Sequence, residues 1–288
     1  MLQQALPTLE AWVDYLSRAE LPVLKRTARE LARLREDEER VSGRQLAAVV
    51  LHDPLMTLRL LAHIEATRRA SQNADITTID RAVMMMGITP FFARFENLPL
   101  VEEQLERHPQ ALIGLLGVIA RARRAAAFAC DWAVQRHDLD VEEVTVAALL
   151  HDTAEILLWC FAPDLMLEVR RQLNEHPGLR SARAQQAVLG TSVEALQLAL
   201  ARAWRLPQLL LTLMDSSHAG QPRVRNVLLA VDLARHSANG WGDAAIPDDL
   251  AEIGKLLGLG RAAVIGRLRH VAEISEEALA SLQGDGQA

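Results

Sequence analysis

Residues 147–158 read AALLHDTAEILL. His151 and Asp152 stand side by side in a run whose other residues are almost all apolar. Polar and charged groups leave water at a cost unless they find partners, so this pair needs either a cation or hydrogen bonds. Consecutive helical residues point about 100° apart, which lets both side chains reach one ion. Imidazole plus carboxylate suits Mn, Fe, Zn or Mg. Two ligands from one turn are not a site, however. A hydrolytic metal takes about three or four protein ligands and keeps a position open for water.

The sequence around the pair is helical almost throughout. Alternating β-branched patterns are missing, and the content of Ala, Leu, Arg and Glu favours helix. Asp53-Pro54 supplies an N-cap followed by proline at the first helical position. Asp140 with Glu143, and Thr191 with Glu194, have the spacing of capping boxes. Gly87 and Pro163 act as stop signals. These marks predict helices over 7–18, 22–36, 43–51, 54–68, 77–86, 88–96, 99–107 and 110–136. A second series is predicted over 141–161, 163–175, 180–188, 192–204, 206–217, 222–238, 248–257 and 261–282. The expected architecture is all-α, a two-part helical bundle with a smaller N-terminal part. Its divisions are an N-terminal helix at 1–19, a helical subdomain at 20–108, a second at 109–282 and a disordered tail at 283–288. The polar stretch 105–110 is the expected hinge.

The chain has 288 residues, half of them apolar, and a net charge of −6. Nothing in that balance attracts nucleic acid or an anionic membrane. Cys130 and Cys160 are too few for a disulfide framework or a thiolate metal site. Glu10 and Asp14 fall where a secretory signal would need an apolar core. No uncharged apolar stretch of about 18 residues is present, so the expectation is a cytoplasmic protein without a membrane span. VMMMG at 83–87 could be an adaptable partner surface, and its spacing reads as core.

Other candidates for the site are few. Asp232 in NVLLAVDLARH is an isolated carboxylate among apolar residues and calls for a cation or a donor. His218 ends the preceding helix and could reach the same region. The arginines of RARR, including Arg121, Arg123 and Arg124, could hold the phosphates of a nucleotide or of nucleic acid. No aromatic residues interleave them to stack bases, which makes nucleic acid the weaker ligand.

The order of these segments resembles the HDOD family, which is related to the HD superfamily of metal-dependent phosphohydrolases. The resemblance runs over residues 20–282. It is carried by ELPVLKRTARELARL, LAAVVLHDPLMTLRLLAHI, ITTIDRAVMMMGITPFF, EEVTVAALLHDTAEILL, LGTSVEALQLALARAWRLP and NVLLAVDLARH. It makes the second subdomain HD-like. It also makes His151 and Asp152 the central metal pair and Asp232 the distal aspartate. In active HD enzymes a histidine one helix upstream completes the metal site. Here that helix reads GVIARARRAAAFACDWA, with Arg121 near the corresponding place. Ala154 and Glu155 replace the usual glycine and basic residue. Val193 stands where many relatives have a histidine, eleven positions before Trp204. The double histidine that often follows is reduced to Ser217-His218.

An arginine at a ligand position puts a fixed charge beside the would-be cation. At 4 Å that repulsion is about 4 kcal/mol per unit charge at an effective dielectric near 20. An arginine is better suited to satisfy Asp152 or Asp232 itself, replacing the metal by an ion pair. The resemblance therefore implies a bacterial-type regulatory protein acting through a signalling protein partner, with a vestigial metal site and no cofactor. Two other functions stay open. One is residual metal-dependent phosphohydrolase or phosphodiesterase activity at His151, Asp152 and Asp232. The other is a nucleotide sensor using Arg121, Arg123 and Arg124.

Overall fold

The computed structural model describes residues 1–67, 75–176 and 178–271. Its helices in chain order are α1 (Leu9–Ser17), α2 (Lys25–Arg35), α3 (Gly43–Val50), α4 (Pro54–Thr67), α5 (Ile79–Met86), α6 (Ile88–Arg94), α7 (Val101–Gln104) and α8 (Pro109–Gln135). They continue as α9 (Val141–Leu150), α10 (Thr153–Phe161), α11 (Pro163–Glu175), α12 (Ser181–Leu189), α13 (Val193–Ala203), α14 (Gln208–Met214), α15 (Pro222–His236), α16 (Ile246–Leu257) and α17 (Arg261–Val271). Among the described residues there is no strand, only an isolated parallel bridge between Val23 and Leu100. The chain is all-α, as read from its sequence. The end of the last predicted helix and the tail at 283–288 lie outside the described residues.

Contacts divide the chain into two units. One joins Met1–Ile119 to Asp152–Leu211, and the other joins Ala120–His151 to the chain from Thr212 onward. The chain therefore passes from one unit to the other within α8, between His151 and Asp152, and within α14.

In the first unit α1 lies on α13 and buries Trp12 and Leu16 completely. The Trp12 indole N–H donates to the Leu189 carbonyl at 3.1 Å, closing the C-terminal end of α12. Asp53 caps α4 as its position before proline predicts. Its Oδ1 accepts from the Leu55 and Met56 amides at 2.9 and 3.3 Å. Its Oδ2 takes the Leu24 amide at 2.9 Å and so ties the entry of α2 to the start of α4. Phe91, Phe92 and Phe95 form an edge-to-face cluster under α6.

In the second unit α15 packs on both α9 and α16, and α16 packs on α17. Asn226 of α15 is fully buried and donates to the Ala129 carbonyl of α8 at 3.1 Å. Phe128 and Trp132 stack nearly parallel along α8. Arg223 donates to the Asp140 carbonyl and to Glu143, both at 2.9 Å, at the N-terminal end of α9.

Four sequence expectations change. The helix predicted over 141–161 breaks at His151-Asp152, where Asp152 leaves helical geometry at φ −96° and ψ 17°. Glu143 does not serve a capping box, because Asp140 makes no side-chain cap and Arg223 takes Glu143 instead. The cap of α13 is Ser192, one residue after Thr191, with its hydroxyl accepting from the Ala195 amide. Met84 and Met85 are 80% and 41% exposed. The eight-residue α5 buries Ile79, Ala82 and Val83 on one face, which turns residues 84 and 85 outward.

Val141–Phe161 has the length and hydropathy of a membrane span, and 78% of that window is buried in protein. It is core sequence, which accounts for its apolar run.

Candidate functional site

His151 and Asp152 meet where α9 ends and α10 begins. Seven of the ten residues of α9 are buried, and so are seven of the nine in α10, so the pair sits at the joint of two core helices. His151 is half-buried and Asp152 is buried at 8% exposure. Asp152 is the N-cap residue of α10, and its carbonyl accepts the Ile156 amide at 3.0 Å. Its side chain makes no cap hydrogen bond. The orphan amide of Ala154 is met instead by Gln197 of α13, whose Oε1 accepts it at 2.7 Å. Gln197 is itself buried.

Gln197 was not singled out from the sequence. Its signal was present: it is a lone amide on the face of α13 that also buries Leu196, Leu200 and Ala201. Glu155 lies half-buried in the first turn of α10, and Val193 is the first residue of α13. All these residues from Asp152 onward belong to the first unit.

The other predicted residues belong to the second unit. Asp232 is not enclosed among apolar side chains. It is 47% exposed and pairs with Arg235 of its own helix at 3.6 Å. Arg124 donates to the Ser237 carbonyl at 3.1 Å, so one arginine of the proposed phosphate cluster is already spent on the end of α15. Arg121 and Arg123 are half-buried on α8. His218 is exposed in a short 3-10 turn, 3.4 Å from Asp215.

The metal implied by the HD resemblance needs at least one more donor beside the His-Asp pair. Among the described residues no group of three or more His, Cys, Asp or Glu side chains is placed to hold an ion. The donor set does not fit a metal in this structure.

Two further features went unnoticed in the sequence. His236, the last residue of α15, lies 2.6 Å from Asp249 in the first turn of α16. Burial pushes the Asp249 carboxyl up from its ordinary range, and the hydrogen bond from His236 pulls it back down. The second feature is a groove of about 650 Å³ in the first unit. Leu31 and Ala32 of α2, Phe92 of α6, and Phe95, Leu98 and Pro99 are among the residues that line it. An Arg35–Glu96 ion pair stands at its edge.

The sequence profile of the HDOD domain matches residues 21–220. The chain is similar to the crystal structure of the MmoQ response regulator of Methylococcus capsulatus, at 21% identity and a TM-score of 0.65. That match covers 88% of this chain and 99% of the other. It is also similar to a virulence factor of Campylobacter jejuni, at 18% identity and a TM-score of 0.64, covering 92% and 99% of the two chains. No curated protein matches the chain.

Proposed function

Given that the chain belongs to the HDOD domain family, we propose that it is a non-catalytic regulatory protein that acts by binding another protein. Its His-Asp pair is the remnant of a metal centre. The observation that carries this reading is the make-up of the joint at 151–152. The pair is kept, while Arg121, Ala154, Glu155 and Val193 occupy the places that active HD enzymes and many relatives give to other residues. The absence of a three-donor group among the described residues supports it, as does the pairing of Asp232 with Arg235. A response regulator among the structures that share the fold is in keeping with a signalling role.

The test is metal analysis of the protein purified without chelator, together with phosphodiesterase assays with added Mn, Fe, Zn or Mg. The expected result is well below one ion per chain, no turnover, and no change in either on His151→Ala. Near-stoichiometric metal that is lost with His151→Ala would establish the second reading, a residual phosphohydrolase. The retained His151-Asp152 pair is the observation in its favour. A protein partner would be sought by crosslinking in the native cytosol.

A nucleotide sensor built on Arg121, Arg123 and Arg124 has less support, because Arg124 is engaged with Ser237. Nucleotide binding that weakens with salt and disappears when all three arginines become alanine would favour it.

A further inference from the structure

The contact between His236 and Asp249 has no part in the function proposed above, and it lies beyond residue 220, where the match to the HDOD profile ends. His236 Nδ1 and Asp249 Oδ2 are 2.6 Å apart across thirteen positions of chain. They join the last residue of α15 to the first turn of α16. The segment between them turns through a 3-10 turn at Ser237–Asn239 and Gly240 at φ 119°. Asp249 is buried at 8% exposure, and the His236 side chain is 30% exposed.

The surroundings favour a charged clasp. A helix C-terminus stabilises a cation and a helix N-terminus an anion, and the two residues occupy those ends. Asp232, one turn before His236, and Asp243, in the connecting segment, both act on Asp249 as negative charges. The cations nearby are committed elsewhere. Arg235 pairs with Asp232, and Arg124 of α8 donates to the Ser237 carbonyl. Farther along α16, Glu252 is held by Arg225 and Lys255, while the exposed Asp248 adds another negative charge to the first turn. Glu143 of α9 is taken by Arg223 near the opposite end of α15. Among the described residues His236 is thus the side chain within hydrogen-bond distance of the buried Asp249 carboxylate.

We propose that His236 and Asp249 form a proton-operated latch, closed when the imidazole is charged and loosened when it is neutral, that sets how firmly α16 is held on α15. Histidine is the side chain that changes charge across physiological pH. In its neutral form the Nδ1–H can still donate to the carboxylate, but the ion pair is lost and a buried charge is left without its counterion. Since α17 packs on α16, the latch governs the attachment of both helices.

The experiment is amide hydrogen exchange of peptides covering 246–257, corrected for intrinsic rates, between pH 6 and 8.5. For the native protein, protection of α16 should fall about fivefold to tenfold as pH rises, the difference between a charge-assisted and an ordinary hydrogen bond. His236→Gln, which can donate but cannot be charged, should make protection flat with pH, and so should Asp249→Asn. Flat protection in the native protein would overturn the latch, as would a pH dependence that survives in His236→Gln. Should both variants fail to fold, the native protein still decides. The His236 ring resonances must titrate with the same midpoint as the loss of protection, and a different midpoint overturns the proposal.

Discussion

Gly114 of α8 lies flat against Trp159 of α10, so closely that a Cβ at position 114 would stand 2.6 to 2.8 Å from three atoms of the indole ring. Arg170 covers the same indole, with its guanidinium carbon 5.2 Å from the ring centroid. Trp159 is 5% exposed. In a helix interior glycine usually costs about 1 kcal/mol relative to alanine, so Gly114→Ala gains that much in backbone terms. The overlap with a rigid ring costs more. Gly114→Ala should lower the unfolding free energy by about 1–3 kcal/mol in urea titrations. Gly117, one turn on, has nothing within 4 Å of its would-be Cβ. Gly117→Ala should therefore raise stability by about 0.5–1 kcal/mol, and equal effects at the two positions would contradict this packing.

The Gln197–Ala154 hydrogen bond yields a second prediction. Replacing Gln197 by Leu keeps the volume and removes the acceptor of the Ala154 amide. A buried donor left unpaired costs about 1–3 kcal/mol, whatever the gain in apolar area. Thermal and urea unfolding of Gln197→Leu should show a loss in that range. A neutral or stabilising result would mean that another acceptor reaches the start of α10.

These two sites also mark how far the sequence could be read. Helix positions were legible because caps, prolines and glycines are local: α8, predicted at 110–136, forms at 109–135, and α11 forms at 163–175 as predicted. Gly258 ends α16 in the left-handed region. The break at His151-Asp152 was hidden because the apolar pattern continues unbroken through it. The choice of Ser192 over Thr191 as a cap was hidden because both residue types cap well. The partners of Arg124 and His236 depend on which faces meet, and those contacts span up to 113 positions of chain. The assembly of each unit from two separate stretches is likewise a matter of distant packing, which no local pattern encodes.

Arg267 of α17 and Asp131 of α8 illustrate such a distant contact. The guanidinium makes two hydrogen bonds to the carboxylate at 2.6 and 3.0 Å, and a third to Gln135 at 2.7 Å. Both side chains are about three-quarters buried. A forked pair held on two helices is stronger than the usual surface ion pair. Arg267→Ala should cost about 1–3 kcal/mol, and a double-mutant cycle with Asp131→Ala should give a coupling of about 1 kcal/mol or more. Coupling near zero would mean that the pair does not fasten α17.

The last prediction concerns Asp53, which is fully buried while accepting three backbone amides. Burial pushes its carboxyl above the ordinary value of 3.8, and the hydrogen bonds from Leu24, Thr27, Met56 and Leu55 offset only part of that. The folded protein therefore holds this proton more tightly than the unfolded chain does. Between the ordinary value and the raised one, unfolding releases a proton, so the contribution of Asp53 to stability is full in acid and declines as pH rises through that window. The steepest slope one group can give is about 1.4 kcal/mol per pH unit. Asp53→Asn removes the titration but places a donor NH₂ or a single acceptor where two acceptor oxygens served, so it costs a constant amount at every pH. Urea unfolding of both proteins from pH 3 to 7 should show the advantage of the native chain over Asp53→Asn shrinking as pH climbs out of the acid range. An advantage that grows instead would mean that the amides at the start of α4 outweigh burial and hold the carboxylate charged.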